Sequence, residues 1–328
     1  MQEITRDQLV KRAAELLQNG TVTRVMGWKK GEFDYDLTPA VFTNETELET
    51  FVYSDFCGAN FSKYLVSETR KDGKVLVFLK PCDTYSFCQL LTEHRFDREK
   101  VYAVGIPCDG MLDASKIRAA AGDFTAAETN GDKVIVRTLF DGEVTLDRKA
   151  LLPDRCANCK SKKHAYFDEL LGTEGEKLDS HRFDEVEKLE RMTADERFAF
   201  WQNELSRCIR CNACRDVCPA CTCEKCVFDN PKSGVENKAA ADSFEEKMFH
   251  IIRAFHVAGR CTDCGECSRV CPQHIPLHLL NRKFIKDINE FYGEYQAGAE
   301  IGSRAPLISY SKTDIEPKDA SERGNGNA

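Results

Sequence analysis

The amino-acid sequence predicts two domains, an α/β N-terminal domain followed by a mostly α-helical C-terminal domain. In the first half, apolar runs typical of strands alternate with helical stretches. In the second half, apolar residues recur at helical spacing, and most of the 17 cysteines fall there in two similar segments. A chain of 328 residues is long enough to bury two such cores.

The N-terminal domain opens with a predicted helix over residues 5–18, where Leu9, Ala13, Leu16 and Leu17 share one face and Gly20 follows. Strand-like runs and helical stretches then alternate. The predicted strands cover 74–79, 101–105 and 133–137, and the predicted helices cover 86–93 and 114–121. This alternation predicts an α/β layer structure.

The C-terminal half begins its helices with a capping-box pattern, Thr193 to Glu196. Phe198, Trp201 and Leu205 follow at helical spacing and are expected to pack this helix onto its neighbour. A second helix is predicted over 242–259, ending at Gly259. Its apolar stripe consists of Phe244, Met248, Ile251, Ile252 and Phe255.

We therefore predict four segments. They are an α/β domain over 1–175, a linker and helix over 176–200, an α-helical domain over 201–302 and a disordered tail over 303–328.

Composition excludes several classes of protein. Hydrophobic residues make up 42% and charged residues 30%, as in ordinary globular proteins. The net charge of -8 argues against nucleic acid or an anionic membrane as the main partner. No apolar run is long enough to span a bilayer, and no signal peptide is visible. Many cysteines without an export signal predict a cytoplasmic protein whose thiolates bind metal rather than form disulfides.

Two segments repeat the pattern C-x2-C-x2-C-x3-C-P. The first contains Cys208, Cys211, Cys214 and Cys218, and the second contains Cys261, Cys264, Cys267 and Cys271. In this pattern, three closely spaced thiolates bind one 4Fe-4S cluster, and the fourth, before proline, binds the other cluster. The predicted ligand sets are Cys208, Cys211, Cys214 with Cys271, and Cys261, Cys264, Cys267 with Cys218.

Zinc is the main alternative, but zinc sites use pairs of CxxC units rather than triplets closed by Cys-Pro. The long, helix-containing interval between Cys218 and Cys261 favours an α-helical ferredoxin-like dicluster domain over the compact ferredoxin fold.

Three further cysteines, Cys221, Cys223 and Cys226, follow the first motif within a few residues. They could ligate a further metal, form a redox-active pair that serves as a sensor, or be inert buried thiols. Cys57 and Cys88 are isolated and are interpreted as structural.

Four cysteines of the N-terminal half could form another site. Cys82 and Cys108 each follow a predicted strand, at the sheet edge where ligands collect, and Cys156 and Cys159 form a CxxC pair. The residues alone leave zinc and iron–sulfur equally open for this four-thiolate site.

Residues 15–175 resemble the β-subunit family of deazaflavin-reducing hydrogenases and formate dehydrogenases, through Pro81-Cys82, the Gly105-to-Cys108 strand end and the Cys156–Cys159 pair. The resemblance implies that Cys82, Cys108, Cys156 and Cys159 hold one 4Fe-4S cluster beside a flavin, FAD or FMN. The nearest match to a flavin-contacting segment is Gly58 to Ser62, with Gly58 and Asn60 as candidate flavin residues.

The C-terminal half is similar to dicluster subunits of heterodisulfide-reductase-linked complexes and of sulfhydrogenases and anaerobic sulfite reductases. The similarity covers Glu196 to Cys226 and Ala258 to Leu277. It implies an electron-transfer subunit of a multi-subunit complex. The implied partners are a flavoprotein, a hydrogenase or formate dehydrogenase, and a heterodisulfide-reductase-like acceptor.

Neither a G-x-G-x-x-G nor a Walker-type motif is present, so no nucleotide site is indicated on this chain. We therefore expect the partners to supply the substrate chemistry. The alternative is a flavoenzyme whose N-terminal domain reduces a nicotinamide or deazaflavin cofactor. Among the histidines, His274 lies beside the second motif, while His250 and His256 on the connecting helix are interpreted as structural.

Overall fold

The computed structural model describes residues 4–178, 180–229 and 243–309. Most of the predicted tail, residues 310–328, lies outside these ranges. The chain divides into two compact units, one formed by Met1–Phe87 with His94–Ser180 and the other by Cys88–Glu93 with His181–Ala328. An α/β first unit and a helical second unit confirm the predicted fold class.

The first unit is built on a six-stranded mixed sheet. Its strands are β1 (Arg24–Lys30), β2 (Leu37–Phe42), β3 (Phe51–Val52), β4 (Val75–Leu79), β5 (Val101–Gly105) and β9 (Glu169–Leu170). The strand order is β2-β1-β4-β5-β9, and β3 also pairs with β1. Strands β2 and β3 are antiparallel to β1, whereas the pairs β1–β4, β4–β5 and β5–β9 are parallel.

The centre of this sheet is buried on both faces. All five residues of β4 are buried, as expected for an apolar parallel strand covered by helices. Burying each such side chain contributes about 1.5–3 kcal/mol to the free energy of unfolding. Gly27 of β1 lies against the ring of Phe51, where a Cβ would come within 2.1 Å of the ring, so only glycine fits without displacing that side chain.

A second, antiparallel sheet consists of β6 (Phe124–Asn130), β7 (Lys133–Thr138) and β8 (Glu143–Asp147). The helices of this half of the chain are α1 (Arg6–Gln18), α2 (Glu45–Leu48), α3 (Ser62–Glu68), α4 (Pro81–Thr92), α5 (Ala114–Ala121) and α6 (Asp154–Ala157). α4 starts five residues earlier than predicted because proline is favoured at the first helical position. α1 begins at the capping box of Thr5 and Gln8.

The second unit is helical. Its helices are α7 (Asp184–Glu190), α8 (Ala194–Ser206), α9 (Ala213–Asp216), α10 (Ser243–Val257), α11 (Glu266–Arg269) and α12 (Leu277–Tyr292). α8 begins at the predicted capping box of Thr193 and Glu196. The segment predicted as a linker before α8 therefore contains a helix of its own, α7. None of the helices in the described ranges is long and apolar enough to cross a bilayer.

Candidate iron–sulfur centres

The two cysteine motifs adopt the same backbone conformation. In the first, Arg210 and Asn212 have positive φ angles of 53° and 62°; in the second, the equivalent Asp263 and Gly265 have 57° and 68°. A short helix follows each loop, α9 in the first motif and α11 in the second. Alternating left- and right-handed residues turn successive backbone N–H groups inward, which creates a concavity for an anionic group.

Backbone amides in these loops point at cysteine sulfurs. The amide of Arg210 donates to Sγ of Cys208 at 3.4 Å. At the equivalent place in the second motif, the backbone amide of Asp263 hydrogen-bonds to Cys261. Burial raises the pKa of Cys261, and this hydrogen bond opposes the rise. Donors at the same position in both motifs favour negatively charged sulfur, the form in which cysteine binds metal.

The first predicted ligand set lines one pocket. Cys208, Cys211, Cys214 and Cys271 all border it, and they come from two motifs more than 50 residues apart in sequence. Cys214 and Cys271 also belong to an apolar cluster with Leu205, Ile275 and Leu277, and Cys267 of the second motif belongs to the same cluster. Leu205 of α8, Leu277 of α12 and Ile275 just before α12 contribute the apolar side chains, so the packing of the second unit fixes the cysteines in place.

The second predicted set is brought together less directly. Burial raises the pKa of Cys261, and the neighbouring charges of Asp263, Cys264 and Cys267 raise it too, so these three cysteines lie together. The charges of Cys218 and Cys267 both raise the pKa of Arg253, and the grouping of Cys218 with the other three cysteines stays a prediction. In the described ranges, no three His, Cys, Asp or Glu side chains converge on a point that would hold a single metal ion. A 4Fe-4S cluster takes one thiolate for each iron, so its ligand sulfurs surround a volume rather than a point.

Two buried polar residues of α10 contact the pocket cysteines, and the sequence analysis did not identify either as functional. Nε2 of His250 lies 3.2 Å from Sγ of Cys208, and Nη1 of Arg253 donates to Sγ of Cys214 at 3.2 Å. Burial, assisted by the charges of Arg253 and Arg210, lowers the pKa of His250 to about 3. The ring is therefore neutral near pH 7 and can donate Nε2–H to sulfur. The sequence signal was two polar residues three apart within the apolar stretch from Phe249 to Phe255.

The predicted face of α10 was wrong for this reason. Met248, Ile251 and Phe255 of the predicted apolar stripe are exposed by 37%, 39% and 63%. The buried residues of this helix include instead Phe249, His250, Arg253, Ala254 and Val257. The side chain of Phe244 lies outside the described residues. Two residues of the buried face hydrogen-bond to cysteine sulfur, a contact that apolar periodicity alone does not reveal.

The remaining C-terminal candidates are placed as follows. Cys221 lies beside Cys218; its amide donates to the Cys218 carbonyl at 3.0 Å, and contact with Cys218 and burial together raise its pKa. Cys223 is exposed and Cys226 partly buried. His274 is the counterpart of Cys221 in the second motif, with its amide bonded to the Cys271 carbonyl at 3.0 Å. A further metal site at Cys221, Cys223 and Cys226 stays a prediction.

In the first unit, Cys82 lies in the first turn of α4, directly after β4. Burial and the neighbouring charges of Asp83 and Cys108 raise its pKa. Burial raises the pKa of Cys108 to about 11, and Cys156 adds to that shift. Cys156 lies beside the loop that carries Cys108, since the amide of Met111 donates to Sγ of Cys156 at 3.5 Å, and the charge of Cys108 also acts on Cys82. The sulfur of Cys159 donates to the carbonyl of Ser161 at 3.2 Å, in its own loop.

A buried ion pair lies beside these cysteines. Lys80 and Asp83 are each 1% exposed and are joined at 2.8 Å. Burial alone would lower the pKa of Lys80, but Asp83, Cys82 and Cys108 outweigh it and raise the pKa. Lys80 thus keeps a positive charge near the thiols that a metal cluster would require as thiolates.

The candidate flavin segment lies close to the same region. The carbonyl of Gly58 accepts from Arg155, which precedes Cys156, at 2.9 Å, and the carbonyl of Ala59 accepts from Lys80 at 3.0 Å. Asn60 is fully buried and hydrogen-bonds to Ser86 and to the amide of Ser62. Its side chain thus holds the segment within the fold, and its contact with a flavin stays a prediction.

The isolated cysteines are buried. Burial raises the pKa of Cys57 to about 12, and it does the same for Cys88. Both are thus protonated, weakly reactive thiols at neutral pH.

Comparison with known proteins agrees with both halves of this description. Residues 204–275 match the family model described as a 4Fe-4S dicluster domain. The chain is 26% identical to the F420-dependent formate dehydrogenase subunit beta of Methanocaldococcus jannaschii, over 90% of this chain and 92% of that protein. It is 24% identical to the F420-dependent formate dehydrogenase 1 subunit beta of Methanococcus maripaludis, over 65% and 71%.

Among solved structures, the F420-reducing [NiFe] hydrogenase complex from Methanosarcina barkeri contains a chain 17% identical to this one. The match has a TM-score of 0.37 and covers 46% of this chain and 58% of that chain. The protein therefore carries a 4Fe-4S dicluster domain in its C-terminal half and resembles, over nine-tenths of its length, the β-subunits of F420-dependent formate dehydrogenases.

Proposed function

We propose that this chain is an iron–sulfur electron-transfer subunit of a cytoplasmic oxidoreductase complex. The pocket that brings Cys208, Cys211 and Cys214 together with Cys271 carries this proposal. A cluster held there would accept and release one electron at a time at low potential. The dicluster match over residues 204–275 supports the same assignment.

The residues present suit such clusters. Each motif supplies thiols, inward-turned amides and, around the pocket, the side-chain donors His250 and Arg253. Hydrogen bonds to ligand sulfurs, together with burial, are the means by which a protein adjusts the potential of an iron–sulfur cluster. Buried apolar neighbours such as Ile275 and Leu277 line one side of the pocket.

We assign Cys208, Cys211, Cys214 and Cys271 to one cluster and Cys261, Cys264, Cys267 and Cys218 to a second. A third cluster is assigned to Cys82, Cys108, Cys156 and Cys159, because three of these four thiols lie together beside the Lys80 cation. The partners we infer, from the names of the relatives, are a formate- or hydrogen-oxidising subunit and the deazaflavin F420. A heterodisulfide-reductase-like acceptor remains part of the proposal on the sequence resemblance.

One observation favours a second function, a flavoenzyme that exchanges hydride with F420 or a nicotinamide. The segment of Gly58, Ala59 and Asn60 contacts Arg155 and Lys80, the residues beside the candidate third cluster. A flavin at this segment would lie next to that cluster, as electron transfer between them requires.

The deciding experiment is anaerobic purification of the full chain, followed by assays of iron, acid-labile sulfide, zinc and flavin. About twelve irons per chain with equal sulfide are expected for three clusters. About eight irons with one zinc would assign zinc to one of the remaining cysteine sites. One equivalent of flavin would establish the second function, whereas a chain that holds zinc in place of iron would refute the electron-transfer proposal.

A further inference from the structure

Arg253 occupies an unusual position between the two cysteine motifs. It lies on α10 and is only 7% exposed. Nη1 donates to Sγ of Cys214 at 3.2 Å, and Nη2 donates to the backbone carbonyl of the same residue at 3.0 Å. Two contacts to one residue fix the orientation of the guanidinium plane.

The hydrogen-bond partner of this arginine is a cysteine. A buried guanidinium is costly unless an opposite charge accompanies it. Within the described ranges no carboxylate pairs with Arg253. The sulfur that it contacts, Cys214, packs in one apolar cluster with Cys267 of the second motif. Burial lowers the pKa of Arg253, and nearby cysteines, Cys214 and Cys267 among them, raise it. Cys214 belongs to the first proposed cluster, while Cys218 and Cys267 belong to the second.

We propose that Arg253 is a positioning residue that sets the reduction potentials of both dicluster-domain clusters by holding one positive charge at Cys214, which packs against Cys267 of the second ligand set. The inference rests on the proposed ligand sets. Reduction adds one negative charge to a cluster, so a buried cation nearby stabilises the reduced form of each. The hydrogen bond to Sγ of Cys214 adds to this effect for the first cluster alone.

The test is a potentiometric titration of the full chain, purified without oxygen and followed by electron paramagnetic resonance. Wild type is compared with Arg253→Gln, which removes the charge, and with Arg253→Lys, which keeps the charge but cannot make both contacts to Cys214. Cys211→Ser and Cys264→Ser assign the two signals, since each alters a ligand of one cluster. Arg197→Gln is the matched control, because Arg197 of α8 donates to the carbonyls of Leu189, Glu190 and Met192.

In Arg253→Gln, both potentials should move to lower values. In Arg253→Lys, only the cluster held by Cys214 should move, and Arg197→Gln should leave both unchanged. Unchanged potentials in Arg253→Gln, or a shift of one cluster only, would overturn the inference. If Arg253→Gln does not assemble its clusters, Arg253→Lys decides. An unchanged reduction potential of the cluster held by Cys214 in that variant would also overturn the inference. Failure of the proposed function would be distinguishable, because the wild-type chain itself would then lack the two cluster signals before any variant is compared.

Discussion

The imidazole of His250 lies with Nε2 3.2 Å from Sγ of Cys208, although 42 residues separate them in sequence. This contact joins the connecting helix α10 to the first cysteine of the first motif. Because burial keeps the ring neutral near pH 7, the contact is a hydrogen bond rather than an ion pair, and with Cys208 as a ligand thiolate Nε2–H would be the donor. The helix that connects the two cysteine motifs therefore also contributes a side chain directly to the candidate cluster site.

Replacing His250 should lower the reduction potential of the cluster in this pocket. The variant His250→Phe fills similar space but removes the donor to Cys208, so the reduced cluster loses a stabilising hydrogen bond. Potentiometric titration should show one cluster signal at lower potential and the other unchanged. His256→Phe is the control, since His256 lies exposed on the same helix. Equal potentials in both variants and wild type would mean that the His250 contact does not affect the cluster.

The left-handed residues of the two loops predict a difference between substitutions at Gly265. This glycine has φ 68°, and Asn212 takes the equivalent place in the first motif with φ 62°. Asparagine tolerates this conformation, whereas a β-branched residue does not, at a cost of roughly 1–2 kcal/mol or more. Gly265→Asn should therefore keep both clusters, and Gly265→Val should lose about four irons per chain.

The control for this prediction is Gly293→Val. Gly293 has φ 89° and ψ 179° at the end of α12, a conformation essentially confined to glycine, with open space around it, so the substitution carries a backbone penalty at least as large away from the cysteines. Full iron content in Gly265→Val would show that the loop conformation is not required for assembly.

Exposed thiols offer a test of the ligand sets that needs no substitution. Cys211 and Cys223 are both exposed. In the metal-free chain both should react with iodoacetamide, but after reconstitution Cys211 should be protected because its sulfur would ligate iron. Mass spectrometry of the labelled peptides measures this directly. Undiminished labelling of Cys211 would remove it from the ligand set. Cys223 tests the further metal site separately: protection of Cys223 would support that site, and unchanged labelling would rule it out.

The cysteine spacing predicts which thiols share a cluster, because this pattern has a known wrapping around a cluster, and the four cysteines of the first predicted set border one pocket. The strands β4 and β5 were likewise predictable, since continuous apolar runs are typical of buried parallel strands. Strand β1 could not be predicted in this way, because its sequence contains Gly27 and ends in Lys29 and Lys30. The need for glycine at position 27 is visible only in the structure, where the ring of Phe51 from another strand packs against it.

The functional part of α10 could not be predicted for a related reason. Periodicity selects the face that carries apolar residues, but the buried face here carries His250 and Arg253. Their burial is favourable only because sulfurs from residues 208 and 214 accept their hydrogen bonds. That information lies in the tertiary contact and is absent from the local pattern.

The stability of the second unit should depend on pH through Glu190. This carboxylate at the end of α7 accepts from Lys283 at 2.6 Å and from Lys286 at 2.9 Å, both on α12. Burial alone would raise the pKa of Glu190, but the two hydrogen bonds outweigh it, and the pKa lies below the ordinary 4.5. A lowered pKa in the folded state means that the ion pairs stabilise the fold above pH 4.5 and that this contribution is lost as the pH falls through the folded-state value.

Glu190→Gln should therefore reduce the free energy of unfolding at pH 7 by about 0.5–1 kcal/mol, the range for partly exposed ion pairs. The difference from wild type should shrink as the pH falls below 4.5 and disappear once Glu190 is protonated in both states. Urea unfolding of the full chain at a series of pH values measures both effects. Glu187→Gln on the same helix is the control, because no ion pair of Glu187 occurs among the described residues. A pH-independent difference between Glu190→Gln and wild type would show that the effect of Glu190 is not electrostatic.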